Sequence, residues 1–207
     1  MSAAQSGSRG LLWRWLPSGN ECTDSERDGS PTYCYRCALA AGGCAIQHVE
    51  STARENAIRR VVGLHERSVE CFNEYLADYR DDEDFFAYVS RLAGEGCGSP
   101  LILNKTDDEI AGMNFKPTGS NTWYTSGTRT GDRAVLAVTT VGDGRATATH
   151  ASASQSLAVC WTLVVDVPGR TAQAVNDDGE CHDAVLFGDT KIVTWDEVAR
   201  EYEELDN

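Results

Sequence analysis

Residues 156–170 read SLAVCWTLVVDVPGR, and the period of this stretch decides the fold. Leu157, Val159, Trp161, Leu163 and Val165 fall on one face of an extended chain, and Ala158, Cys160, Thr162 and Val164 on the other, because successive strand side chains alternate. Neither face is plainly polar, so the strand belongs in the middle of a sheet with both sides covered. Pro168-Gly169-Arg170 then reads as a turn. Upstream, residues 134–141 are apolar and β-branched, and residues 145–151 alternate small apolar with polar side chains. Between those two runs, Gly142-Asp143-Gly144 reads as another turn. Gaps this short suit antiparallel hairpins, whereas parallel neighbours need a crossover of about a dozen residues or more.

Before Cys97 the period is helical. Ala57, Ile58, Val61, Val62, His65, Val69, Phe72, Leu76 and Tyr79 recur at three- and four-residue steps, giving one apolar stripe over residues 50–80. Ser51 or Thr52 is placed to cap this helix, with Glu55 completing a capping-box pattern after Thr52. The run Asp81-Asp82-Glu83-Asp84 suits the start of a second, shorter helix, where the backbone dipole favours carboxylates. Phe85, Val89 and Leu92 share its apolar face, and Gly94 is placed to end it. Past the sheet, Asn176-Asp177-Asp178-Gly179 forms a turn, residues 184–187 and 191–194 read as short strands, and Thr194 caps an acidic helix over 195–205. The expected class is α+β: a helical pair over 50–93 packed on an antiparallel sheet spanning 99–194, with a C-terminal helix. Residues 49–207 make up that domain.

Residues 1–48 differ from the rest. They are rich in Gly, Ser and Cys, show no sustained period, and cannot bury enough apolar surface to hold a shape without cross-links or metal. They are read as an irregular Cys-rich lobe. Eight cysteines in 207 residues, Cys22, Cys34, Cys37, Cys44, Cys71, Cys97, Cys160 and Cys181, fit disulfides in an exported protein or metal ligands in a cytosolic one. Chain reversal at the hairpin around Pro168 could return Cys181 to Cys160. The helix-turn-helix could likewise bring Cys97 to Cys71. Sequence leaves the connectivity open. In the alternative reading Cys22, Cys34, Cys37 and Cys44 hold zinc, since two thiolates two residues apart can chelate one ion from a single turn. A zinc ribbon has two such close pairs, and this lobe has one.

Charge narrows the function. With 32 acidic and 18 basic residues the net charge is −14, which repels phosphate backbones and makes nucleic acid a poor partner. No apolar run approaches the roughly 20 residues of a spanning helix. Leu11-Leu12-Trp13-Arg14-Trp15-Leu16-Pro17 is too short and interrupted for the apolar region of a signal peptide. Export therefore implies a removed leader or another route. Cys181-His182-Asp183 offers the residue types of a thiol catalyst, yet consecutive strand residues point to opposite faces and do not form a relay. His65 is placed at the core edge and His150 toward solvent. The acidic runs 81–84 and 177–180 lack the alternating ligand pattern of a calcium loop. No catalytic constellation emerges, and no cofactor is expected apart from zinc in the alternative reading.

Ala53-Arg54-Glu55-Asn56-Ala57, then Asn73-Glu74-Tyr75-Leu76-Ala77-Asp78-Tyr79, then Arg145-Ala146-Thr147-Ala148-Thr149-His150 and Cys160 together resemble the head of type IV pilins and type II secretion pseudopilins, over residues 52–181. The resemblance implies an amphipathic helix, an extended segment and an antiparallel sheet, often with a disulfide closing the C-terminal region. Those proteins polymerise through an apolar N-terminal helix carrying a Glu, where this chain has a polar Cys-rich segment. Only the head fold is implied, and no functional residue transfers. The expected function is that of a non-catalytic, disulfide-stapled extracellular or cell-surface domain with protein partners. The alternative is an intracellular zinc-binding accessory subunit.

Overall fold

The computed structural model describes residues 35–92 and 97–206, with side chains from residue 46 onward. Its elements are helix α1 (Tyr35–Leu76), α2 (Phe85–Arg91), α3 (Asp107–Gly112), strands β1 (Asn121–Thr130), β2 (Arg133–Ala148), β3 (Ala151–Asp166), β4 (Thr171–Val175) and β5 (Lys191–Ile192), and helix α4 (Trp195–Leu205). The class is α+β, as the two hydrophobic periods predict. The sheet runs β1-β2-β3-β4 as an antiparallel meander, and β3 is central, as its two apolar faces require. β5 adds to β3 in parallel, pairing Leu157 with Lys191 and Ala158 with Ile192. The sheet is thus mostly antiparallel, as expected, with β5 as a parallel addition. The chain reaches β5 through residues 176–190, a link long enough for a parallel return.

α1 is longer than its stripe suggests. It spans 42 residues, about 60 Å at 1.5 Å per residue, and begins at Tyr35, well before Thr52. The irregular lobe expected over 1–48 is therefore helical from residue 35. Ala38-Leu39-Ala40-Ala41 favours helix strongly enough to carry it through Gly42-Gly43. With no terminus at Thr52 there is no capping box there. The Thr52 hydroxyl donates to the His48 carbonyl at 2.9 Å, and the Ser51 hydroxyl to Glu55 Oε1 at 3.1 Å. The helix ends in tight turns, with the amides of Asp78 and Tyr79 bonded to the carbonyls of Tyr75 and Leu76. A capping box does form at α3, between Thr106 and Glu109, which the sequence reading left unassigned.

α1 lies across one face of the sheet. Ala57, Ile58, Val61 and Val62 meet Leu157, Val159 and Val198 of α4. Further along, Phe72 and Leu76 join Tyr79, Phe85, Tyr88 and Val89 over Leu136, Val138, Trp161, Leu163 and Val165. The opposite face carries a smaller core of Ile102, Ile110, Trp123, Val141, Ala158 and Val185.

Gly142-Asp143-Gly144 is not a turn. β2 runs straight through it, pairing Gly142 with Leu157 and Gly144 with Gln155, and the reversal comes at Thr149-His150. The glycines serve packing. A Cβ on Gly142 would stand 2.7 Å from the Ala57 carbonyl oxygen, and one on Gly144 would overlap the Ala53 carbonyl. With Ala53 and Ala57 fully buried above them, α1 comes down onto the bare strand. Residues 183–185 form a 3-10 turn and not the expected strand, because His182 caps it through Nδ1, which accepts from the Ala184 amide at 3.2 Å.

Candidate functional site

Four of the eight cysteines have described side chains, and they form two disulfides, Cys71–Cys97 and Cys160–Cys181, with Cα separations of 5.2 and 5.3 Å. Cys71–Cys97 ties α1 to the segment entering the sheet. There the buried Tyr124 hydroxyl donates to the Cys97 carbonyl at 2.5 Å. Cys160–Cys181 ties the segment after β4 to the centre of β3. Cys22 and Cys34 lie outside the described residues. Cys37 and Cys44 lie on the α1 backbone, with their side chains outside the description, so the zinc alternative falls on residues the structure does not describe. Among the described residues no cluster of three or more His, Cys, Asp and Glu side chains could hold a metal.

His65 and parts of the acidic runs are engaged structurally. Cys181 is bonded to Cys160, so the Cys181-His182-Asp183 triplet offers no thiol. His65 sits between the rings of Trp161 and Trp195, with centroids at 4.5 and 4.1 Å. Its Nε2–H tautomer donates to Asn176 Oδ1 at 3.0 Å, while Nδ1 is buried without a partner. Burial holds this imidazole below the ordinary histidine range, only partly offset by the Asn176 acceptor. His150 is exposed in the β2–β3 turn. Asp84 caps α2, accepting from the Ala87 amide at 2.7 Å, and Asp82 pairs with Arg80 at 2.8 Å. Asp177 accepts from the Thr162 hydroxyl at 3.2 Å.

The sequence reading missed a cavity of about 790 Å³ between α1 and β2. Arg59, Arg60 and Arg67 of α1 and Arg145 of β2 line it, together with Asp143, Ser120 and the bare backbone of Gly63. Arg59 turns toward the C-terminus and reaches Asp206 Oδ1 at 3.0 Å and the Leu205 carbonyl at 3.2 Å. Arg60, Arg67 and Arg145 make no ion pair among the described residues. The signal was present as Arg60-x6-Arg67, two turns apart on the polar side of the helical stripe. The third arginine comes from a strand some 80 positions later, which no local pattern connects to them. A second groove of about 360 Å³ shares Asp143 and Arg145 and is lined by Gln155, Asp189 and Lys191.

Beside it, α4 docks on α1 through charge. Arg54 donates to Glu201 at 2.6 and 2.7 Å and to Glu197 at 2.8 Å, and the Arg54 hydrogen bond holds the Glu201 carboxyl below its usual range. No helix among the described residues is long and apolar enough to cross a membrane. No family model, curated protein or solved structure matches the chain.

Proposed function

We propose that this chain is an exported, non-catalytic domain that works through surface contacts, with the build of a pilin or pseudopilin head. One observation carries the reading: the Cys160–Cys181 bridge closes the segment after the last meander strand back onto the central strand. The order of parts supports it. A long amphipathic helix comes first, a disulfide-tied connecting segment follows, then an antiparallel meander, then a bridged C-terminal region. Structural disulfides persist in oxidising compartments and are rare in a reducing cytosol, which favours a cell-surface or extracellular setting. Cys181 is bridged to Cys160, Asp84 and His182 cap helices, and His65 stacks between two tryptophans.

The test is the thiol state in the native cells. Cells are acid-quenched, alkylated before any reduction, and the full chain is weighed and mapped. Cys71, Cys97, Cys160 and Cys181 should escape alkylation, and reduction should add one pair of hydrogens per bridge. Alkylation of these four in the unreduced sample, with zinc present in stoichiometric amount, would replace this reading with that of an intracellular zinc protein.

A further inference from the structure

We infer that the arginine-lined groove between α1 and β2 binds a small ligand carrying two oxyanion groups, phosphate or carboxylate. Although acidic residues outnumber basic ones 32 to 18, this groove gathers arginines. Arg54, Arg59, Arg80 and Arg91 pair with carboxylates. Arg60, Arg67 and Arg145 share one cavity and find none among the described residues. Arginines lining one cavity repel, and a bound anion reduces that repulsion. Arginine's fork of donors matches the oxygens of phosphate and carboxylate in pairs.

Gly63 is the independent observation. It sits in the middle of α1, where glycine is the least favourable residue after proline. Packing does not require it, because an added Cβ would meet nothing within 4 Å. The contrast with Gly142 and Gly144 is direct, since both of those sit under helix backbone. At Gly63 the missing side chain opens the groove floor between Arg60 and Arg67, and close approach of a ligand to backbone is a recurrent use of glycine.

The spacing sets the ligand's form. Arg60 and Arg67 stand on one helix face about 10 Å apart along the axis, with Arg145 on the β2 wall. A ligand with oxyanions at both ends engages the two helix arginines together, whereas a monoanion engages one. The cavity volume lies within the range of small-molecule sites, about 300–1,000 Å³. The site stands whether or not the chain is a filament subunit.

The experiment is calorimetric titration of the oxidised full chain at low ionic strength with tripolyphosphate, citrate, inorganic phosphate and acetate. Tripolyphosphate and citrate, with several oxyanion groups, should bind saturably with one site and tighter than phosphate and acetate, which carry one. Their ranking separates a phosphate ligand from a carboxylate one. Arg60→Gln and Arg67→Gln should each weaken binding about tenfold, the scale of one lost charge-assisted hydrogen bond. Gly63→Met, which fills the floor without changing charge, should abolish binding while leaving the melting temperature unchanged or higher. Arg133→Gln, an exposed arginine elsewhere on β2, should bind as the parent does. Absence of saturable binding, equal affinity for anions with one and with several oxyanion groups, or binding that survives the double Arg60→Gln/Arg67→Gln change would each overturn the site. Concentration-dependent self-association abolished by the same double change would assign the groove to the acidic surface of a second copy instead.

Discussion

His65 shows how one side chain can make the fold sensitive to acid. Its ring is wedged between Trp161 and Trp195, and Nδ1 has no partner to receive a proton's charge. The folded protein therefore resists protonation that the unfolded chain accepts below about pH 6.5. Below that value the unfolded state binds more protons, so stability is fully present above it and declines as the pH falls toward the lowered folded value. Melting temperatures taken from about pH 7 to about pH 5 should drop more steeply for the parent than for His65→Leu. Parallel slopes would refute the assignment. Asn73 works differently. Its side chain donates to the Ala172 carbonyl at 3.0 Å and accepts from the Ala172 amide at 2.7 Å, copying a strand partner for the edge of β4. Asn73→Leu strands both backbone groups, and urea unfolding should show a loss of about 2 kcal/mol.

At the level of elements, the contact of α1 with β2 depends on the absence of side chains. Ala53 and Ala57 cross Gly144 and Gly142 so closely that a single added methyl meets helix backbone, which cannot rotate aside. Gly144→Val should cost about 3 kcal/mol or more, at the upper end of overpacking penalties, and its chemical denaturation midpoint should fall accordingly. The equivalent change at Gly63, on the same helix but over open space, should cost almost nothing. The docking of α4 rests partly on Arg54, whose pairs with Glu197 and Glu201 are about one-quarter to one-third exposed and therefore screened. Arg54→Met should lower stability by about 1 kcal/mol at neutral pH. Because the Glu201 carboxyl is held low, this contribution is present above its ordinary range and fades as acid protonates it. The gap between parent and Arg54→Met should thus narrow in acid, and a gap independent of pH would show that the pairs contribute nothing.

Across the whole molecule, the two bridges join elements far apart in sequence, closing loops of 26 and 21 residues. By the chain-entropy argument each stabilises by about 3 kcal/mol, chiefly through the unfolded state. Replacing Cys160 and Cys181 together by serine should lower the melting temperature and loosen the segment after β4. Hydrogen exchange in residues 176–192 would register that loosening. Unchanged protection there would show that β5 and α4 hold the region without the bridge.

The hydrophobic periods determined the class, the α1 stripe, the central place of β3 and the Thr194 cap, because period and capping are local properties that each residue's neighbours already express. They also brought the right cysteines within reach, since a hairpin or a helix-turn-helix reverses the chain whatever surrounds it. The start of α1 was hidden because Ser51, Thr52 and Glu55 carry the chemistry of a cap while equally bonding within a continuing helix. Gly142-Asp143-Gly144 carries the chemistry of a turn, and only the helix lying on top shows why glycine is needed in a straight strand. The arginine groove was hidden for the same reason. Arg60 and Arg67 look like an ordinary solvated face until the sheet brings Arg145 opposite them, and proximity between residues some 80 positions apart exists only once the chain has folded.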